Sequence, residues 1–106
     1  MFEPLIALLQ KDSIPVNDEL VLKKAFIHRS YLNESRDKTL ESNERLEFLG
    51  DSVLSLIVSH YLYVTYPSIP EGQLTNYRSS IVKTGSLALA AKELGLGTYL
   101  HMARGE

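Results

Sequence analysis

A chain of 106 residues, 44% of them hydrophobic, has enough apolar material for one small domain. It contains no cysteine, which excludes disulfides, thiolate-ligated zinc and a thiol nucleophile. No apolar run is expected to span a membrane and no secretory signal is recognisable at the N-terminus, so we expect a cytoplasmic protein. The net charge of −2 is unfavourable for binding nucleic acid, because phosphate contacts usually need a basic surface.

The first half of the chain predicts two helices followed by a loop. Residues 4–10 have the spacing of a short helix. A second helix is expected to begin at a cap formed by Asn17 or Asp18 and to extend to about Tyr31. Residues 35–42 are polar, which indicates a loop.

The second half predicts three further helices. The longest covers residues 43–67, and another covers residues 71–82. The last begins at residues 84–86 and ends before Gly95, whereas residues 97–106 show no pattern that would anchor them. The absence of strand signals predicts an all-α fold, a compact bundle of about five helices.

Three acidic residues, Glu44, Glu47 and Asp51, occupy the first two turns of the long helix. Their i, i+3, i+7 spacing places them within roughly 60° of arc at about 100° per residue, so they share one face. Grouped carboxylates are typical of a divalent-cation site, because Mg²⁺ prefers oxygen ligands. The plainer alternative is a solvated helix start. Glu71, after the turn, can approach from outside the helix.

A second face of the long helix is almost wholly apolar and predicts its buried side. We interpret the histidine within it as a core residue and His28, upstream, as a structural histidine bonded to a nearby backbone group. The predicted core stripe consists of Leu46, Leu49, Val53, Leu56, Ile57, His60 and Val64.

Phe48 lies beside the acids, on a strip of the helix otherwise made of Ser52, Ser55 and Ser59. Small side chains allow another backbone to approach closely. The strip can pack on a neighbouring helix of its own chain, or it can meet a second copy across a two-fold axis. The helical wheel alone does not separate the two.

Residues 43–54, NERLEFLGDSVL, resemble the signature of the ribonuclease III family. Residues 25–31, AFIHRSY, are similar to the family's segment just upstream. Residues 71–75, EGQLT, together with Arg78, are similar to the segment just downstream. The resemblance covers nearly the whole chain.

The resemblance implies roles for the acidic residues. The positions that match Glu47 and Asp51 belong to the metal-binding catalytic set of the family, and those that match Glu44 and Glu71 form a supporting acidic cluster. It therefore implies four catalytic residues and an Mg²⁺ cofactor, with Mn²⁺ as an alternative, and no organic cofactor.

The resemblance also implies a homodimer that acts on double-stranded RNA and not at a membrane. The position that matches Phe48 packs into a pocket of the partner subunit, so Phe48, Ser52 and Ser55 are the expected interface residues. Two acidic sites along one cleft would cut each strand once, giving 5′-phosphate products with short 3′ overhangs. Shape and 2′-hydroxyl contacts would select the RNA.

The chain departs from the family in one respect: it has no Asp-x-x-Glu pair after Asp51. We therefore expect residues 1–106 to be the front portion of the catalytic domain, without its C-terminal part or a double-stranded-RNA-binding domain. Two alternatives to an active endoribonuclease stay open. One is a non-catalytic dimerisation or RNA-scaffolding module, and the other is an inactive fragment.

Overall fold

The computed structural model describes residues 1–104, and that part of the chain contains six α-helices, one short 3-10 helix and no strand. The all-α prediction is confirmed, with six helices instead of about five. Residues 105 and 106, the end of the predicted irregular tail, lie outside the described residues. The helices are α1 (Glu3–Lys11), α2 (Glu19–Ala25), α3 (Arg29–Glu34), α4 (Glu44–Thr65), α5 (Glu71–Val82) and α6 (Thr84–Glu93), and the 3-10 helix spans Leu96–Tyr99.

The chain divides into two compact units. One comprises residues 1–47 and the described residues from 98 onward. The other comprises residues 48–97, which include most of α4 and all of α5 and α6.

The core of the first unit is small and aromatic. Phe2, Leu5 and Ile27 are buried in it. The ring of Phe2 lies 5.7 Å from that of Phe26 and 5.6 Å from that of Tyr99, and the rings of Phe26 and Tyr99 are 5.8 Å apart. Such ring pairs add to the stabilisation that burial provides.

The predicted second helix is in fact two helices, α2 and α3. α2 ends at Ala25, and the backbone beyond it pairs with the C-terminal segment instead of continuing the helix. His101 N–H donates to the Phe26 carbonyl over 2.7 Å, and His28 N–H donates to the His101 carbonyl over 2.8 Å. The prediction of one helix to Tyr31 is therefore wrong. Residues 97–106, in which the sequence shows no anchoring pattern, are held here through His101 by a contact between segments far apart in the sequence.

The structural role predicted for His28 is confirmed. Its Nδ1 accepts a hydrogen bond from Ser30 N–H over 3.1 Å, which makes His28 the N-cap of α3. At the start of α2, Asp18 acts as the predicted cap, because its carboxylate accepts from Leu20 N–H over 2.9 Å.

The second unit is a helical hairpin extended by α6. A single residue with an extended backbone, Lys83, separates α5 from α6. Ser86 Oγ of α6 donates a hydrogen bond over 2.8 Å to the carbonyl of Ser80 in α5. Gly95 follows α6 with φ +68°, a left-handed conformation that glycine adopts without strain and that ends the helix as predicted.

The predicted core stripe of α4 is not its buried face. Val58 and Leu62 are the buried residues of this helix, at 8% and 4% exposure. Five residues of the stripe are exposed by 47 to 69%, and its histidine is also exposed. Beyond Asp51 the helix is apolar on most sides, so periodicity could not tell which side α5 and α6 would leave open. The exposed members are Leu49, Val53, Leu56, Ile57, His60 and Val64.

The expectation that no segment is long and apolar enough to cross a membrane is wrong for α4. At 22 residues, with a mean hydropathy of 1.2 over its most apolar window, it meets that criterion by length and composition alone. It is the one such helix in residues 1–104. The criterion is weak evidence of a span, because core helices of globular proteins also satisfy it, and α4 carries charged residues in its first two turns.

Candidate active site

The start of α4 is held by residue Asn43, the last residue before the helix. Its backbone N–H donates to the Ile27 carbonyl over 2.8 Å, and its side-chain amide donates to the Ala25 carbonyl over 2.9 Å. Its own carbonyl accepts from Glu47 N–H over 2.7 Å, the first bond of the helix. The turn that carries Glu44 and Glu47 is thus fixed to the segment that links α2 to α3.

The two acids of that first turn have different surroundings. Glu44 Oε1 lies 3.5 Å from the Arg29 guanidinium, and its other carboxylate oxygen lies 3.5 Å from Ser42 Oγ. The carboxylate of Glu47 is exposed and has no hydrogen-bonding or ionic partner among residues 1–104. Arg29 was not singled out from the sequence, because its partner is 15 residues away on another helix.

Asp51 likewise has an exposed, unpartnered carboxylate among the described residues. It follows Glu47 by one helical turn of α4, so the i, i+4 spacing lets both side chains point the same way. The buried residues Val58 and Leu62 continue this face of the helix further along. The acids therefore occupy the exposed end of the face that α4 buries.

Glu71 is placed elsewhere. It stands in the first turn of α5 after Pro70 and lines a cavity together with Tyr63 and Leu74. Tyr63 is 12 residues beyond Asp51, a rise of about 18 Å along α4. The structure thus places Glu71 beside the far half of α4 and not beside Asp51.

Glu47 and Asp51 offer carboxylate oxygens, the type of ligand that Mg²⁺ takes in proteins. Among the described residues, no three histidine or acidic side chains come close enough together to hold a metal ion. Mg²⁺ is commonly bound through one or two carboxylates, keeps several waters and takes further oxygen ligands from substrate phosphates. The two carboxylates agree in type with such a donor set, and no third protein ligand joins them among the described residues.

Phe48 begins the second unit and is 80% exposed. No helix within residues 1–104 covers it, which contradicts the alternative in which Phe48 packs on a neighbouring helix of its own chain. Ser52 beside it is exposed and Ser55 is half-buried. Phe48 and Ser52 are thus accessible to another molecule, as the second alternative requires, whereas Ser59 at the far end of the strip is half-buried and accepts a hydrogen bond from Arg78 of α5.

A model of the family described as Ribonuclease-III-like matches residues 17–106. The chain belongs to this family. The prediction made from residues 43–54 is therefore confirmed.

Several curated relatives of this ribonuclease-III-like chain are named Ribonuclease 3. That of Enterococcus faecalis is 50% identical over 99 residues, which cover 93% of this chain and 43% of the relative. That of Syntrophotalea carbinolica is 43% identical over 108 residues, which cover 100% of this chain and 47% of the relative. The chain thus spans less than half the length of these relatives.

Solved structures agree with the family and the fold. A nuclease domain of ribonuclease III from Campylobacter jejuni, described for flexibility in a region involved in dimer formation, superimposes with a TM-score of 0.81 at 34% identity. The match covers 100% of this chain and 68% of that one. A second structure of the domain from the same organism gives a TM-score of 0.76 at 35% identity, covering 93% and 63% of the two chains.

Proposed function

We propose that this ribonuclease-III-like protein is a magnesium-dependent endoribonuclease that cleaves double-stranded RNA in the cytoplasm. The observation that carries the proposal is the pair Glu47 and Asp51, two exposed and unpartnered carboxylates one turn apart on α4. Carboxylates without a basic partner are free to bind a cation. Family membership supplies the reaction class, because the relatives are named ribonucleases.

In the proposed reaction, Glu47 and Asp51 would hold the metal, and Mn²⁺ could replace Mg²⁺. A bound hard cation of this kind would supply a nucleophilic water and balance charge on the phosphate. Glu44, restrained by Arg29 and Ser42, would orient solvent at the edge of the site. Glu71 would act on the RNA from its separate position on α5. The products would carry 5′-phosphates and short 3′ overhangs.

We propose that the active form is a homodimer. Phe48 is 80% exposed, and a large aromatic side chain in that state is a natural contact for a second copy. The described flexibility of a dimer-forming region in the Campylobacter jejuni domain is consistent with a similar assembly. Ser52 and Ser55 would let the two helices approach closely.

A second candidate is a non-catalytic dimerisation or RNA-scaffolding module. One observation favours it: no third acidic or histidine ligand joins Glu47 and Asp51 within residues 1–104. A metal held by two carboxylates alone would bind weakly.

A cleavage assay with labelled duplex RNA and Mg²⁺ distinguishes the two candidate functions. An endoribonuclease cleaves the duplex, and Asp51→Asn abolishes cleavage while retaining duplex binding. Asp37→Asn serves as the matched control, since Asp37 lies in the loop before α4 and should be dispensable. Duplex binding without cleavage by the parent protein, at any Mg²⁺ or Mn²⁺ concentration, would exclude an endoribonuclease and leave the scaffold and the inactive fragment.

A further inference from the structure

Arg78, on α5, is half-buried with an incompletely matched charge. Its Nη1 donates to Ser59 Oγ on α4 over 2.8 Å. No carboxylate of residues 1–104 lies within 4.0 Å of it, and no other hydrogen bond of its side chain is formed within that part of the chain. A guanidinium has five N–H donors, so four remain for another molecule. A half-buried cation bonded only to a neutral hydroxyl is a good partner for an anion.

The donors of Arg78 border a cavity of about 450 Å³ between α4 and α5, within the size range of small-ligand pockets. The cavity offers three kinds of surface. Arg78 and Ser59 are polar and basic, Glu71 is an acceptor, and the remaining wall is largely apolar and aromatic. The residues that line the cavity include Leu56, Ser59, Tyr63, Glu71, Leu74 and Arg78.

Arg78 and Glu71 line the same cavity but do not form an ion pair. The space they share therefore favours an occupant that carries an anionic group and, separately, a hydroxyl donor. A ribonucleotide unit of an RNA backbone satisfies both, because its phosphate accepts hydrogen bonds and its 2′-hydroxyl donates one.

We propose that this cavity is an RNA-backbone subsite, in which Arg78 binds a phosphate and Glu71 accepts a hydrogen bond from a neighbouring 2′-hydroxyl. Tyr63 and Leu56 supply the apolar surface against which the ribose lies. The inference rests on the proposed function, since it adds a second contact on the same substrate. It also assigns Glu71 to the recognition of RNA over DNA.

The distance along α4 between Asp51 and the Arg78 subsite would allow one RNA duplex to contact both. Ser59, to which Arg78 is bonded, follows Asp51 by eight residues, a rise of about 12 Å. That distance corresponds to roughly three to four base-pair steps of a duplex. A phosphate held by Arg78 would thus be a few nucleotides from one held near Asp51.

The test is the affinity for a labelled RNA duplex and for a DNA duplex of the same sequence, measured by fluorescence anisotropy without divalent cations. Arg78→Gln should weaken RNA binding about tenfold, the effect of losing one charge-assisted contact. The slope of log affinity against log salt should become shallower by about 1. Lys83→Gln is the matched control, because it removes the same charge from an exposed residue at the end of α5 and should leave binding nearly unchanged.

Glu71→Ala provides an independent measurement at an exposed position, where a substitution is well tolerated. It should reduce the preference for RNA over DNA, since only RNA has the 2′-hydroxyl. Circular dichroism confirms that each variant is folded, and if Arg78→Gln does not fold, the Glu71→Ala measurement decides.

Three outcomes would overturn the subsite. Equal binding by Arg78→Gln and Lys83→Gln would do so, as would an unchanged RNA preference in Glu71→Ala. Loss of self-association in Arg78→Gln with normal RNA affinity would assign the cavity to a second copy of the chain. If the parent protein still cleaves RNA in any of these cases, only the subsite is refuted. If the parent does not bind duplex RNA, both proposals fail.

Discussion

The side-chain amide of Asn43 donates a hydrogen bond over 2.9 Å to the carbonyl of Ala25, the last residue of α2. This bond fixes the first turn of α4, and with it Glu44 and Glu47, to the preceding helix. The acids are therefore positioned by a residue that carries no charge itself.

Replacing Asn43 should loosen that connection. Asn43→Ala removes the bond to Ala25, and we expect the free energy of unfolding to fall by about 1 kcal/mol, the net contribution of one such hydrogen bond. Chemical denaturation monitored by circular dichroism measures it. Asn76→Ala is the control and should change stability by less than about 0.5 kcal/mol, because Asn76 of α5 is exposed and its side chain forms no hydrogen bond within residues 1–104.

Two leucines of α4 test which face of that helix is buried. Leu62 is 4% exposed and Leu56 is 69% exposed. Leu62→Ala should lower the free energy of unfolding by about 2 to 3 kcal/mol, because it leaves a cavity in the second unit. Leu56→Ala should change it by less than about 0.5 kcal/mol. The same denaturation experiment compares them, and equal losses would mean that the predicted stripe is buried after all.

His28 should be replaceable by another capping residue. Its Nδ1 accepts from Ser30 N–H, so His28→Ala leaves that donor without its cap and should cost about 1 kcal/mol of stability. His28→Asn should recover most of the loss, because asparagine is a strong N-cap. Thermal melts of the two variants give the comparison. A loss of the same size in both would show that the ring, through its packing, matters more than the acceptor.

Glu41 should contribute to the loss of stability in acid. The hydrogen bond and charge of Lys24 lower the pKa of Glu41 below its ordinary value of 4.5. The unfolded chain therefore takes up the proton first as the pH falls. The stabilisation by this pair is present above pH 4.5 and is lost as the pH drops through the lowered folded pKa.

Glu41→Gln removes that dependence. The free energy of unfolding of this variant should decline less steeply than that of the parent as the pH falls below 4.5. Glu34→Gln is the control and should follow the parent, because Glu34 is exposed and has no basic partner among the described residues. Denaturation at a series of pH values provides the curves. Parallel curves for the parent and Glu41→Gln would contradict the role assigned to Lys24.

The capping residues illustrate what local sequence predicts well. The roles predicted for Asp18 and His28 are confirmed, and Gly95 follows α6 as expected. Each depends on a contact within three residues, or on the φ angle of a single residue. The break at Phe26 was missed because it depends on His101, 75 positions away in the sequence.

The amino-acid sequence by itself determined the family, the helical class and the shared face of Glu44, Glu47 and Asp51, since positions along one helix follow from its repeat alone. Only the tertiary structure decided which face of α4 is buried and where Glu71 lies. Those features depend on how α5 folds back on α4, and a helix that is apolar on most sides is compatible with several such arrangements. The bond between Arg78 and Ser59, on which the proposed RNA subsite rests, is likewise a contact between two helices that periodicity does not encode.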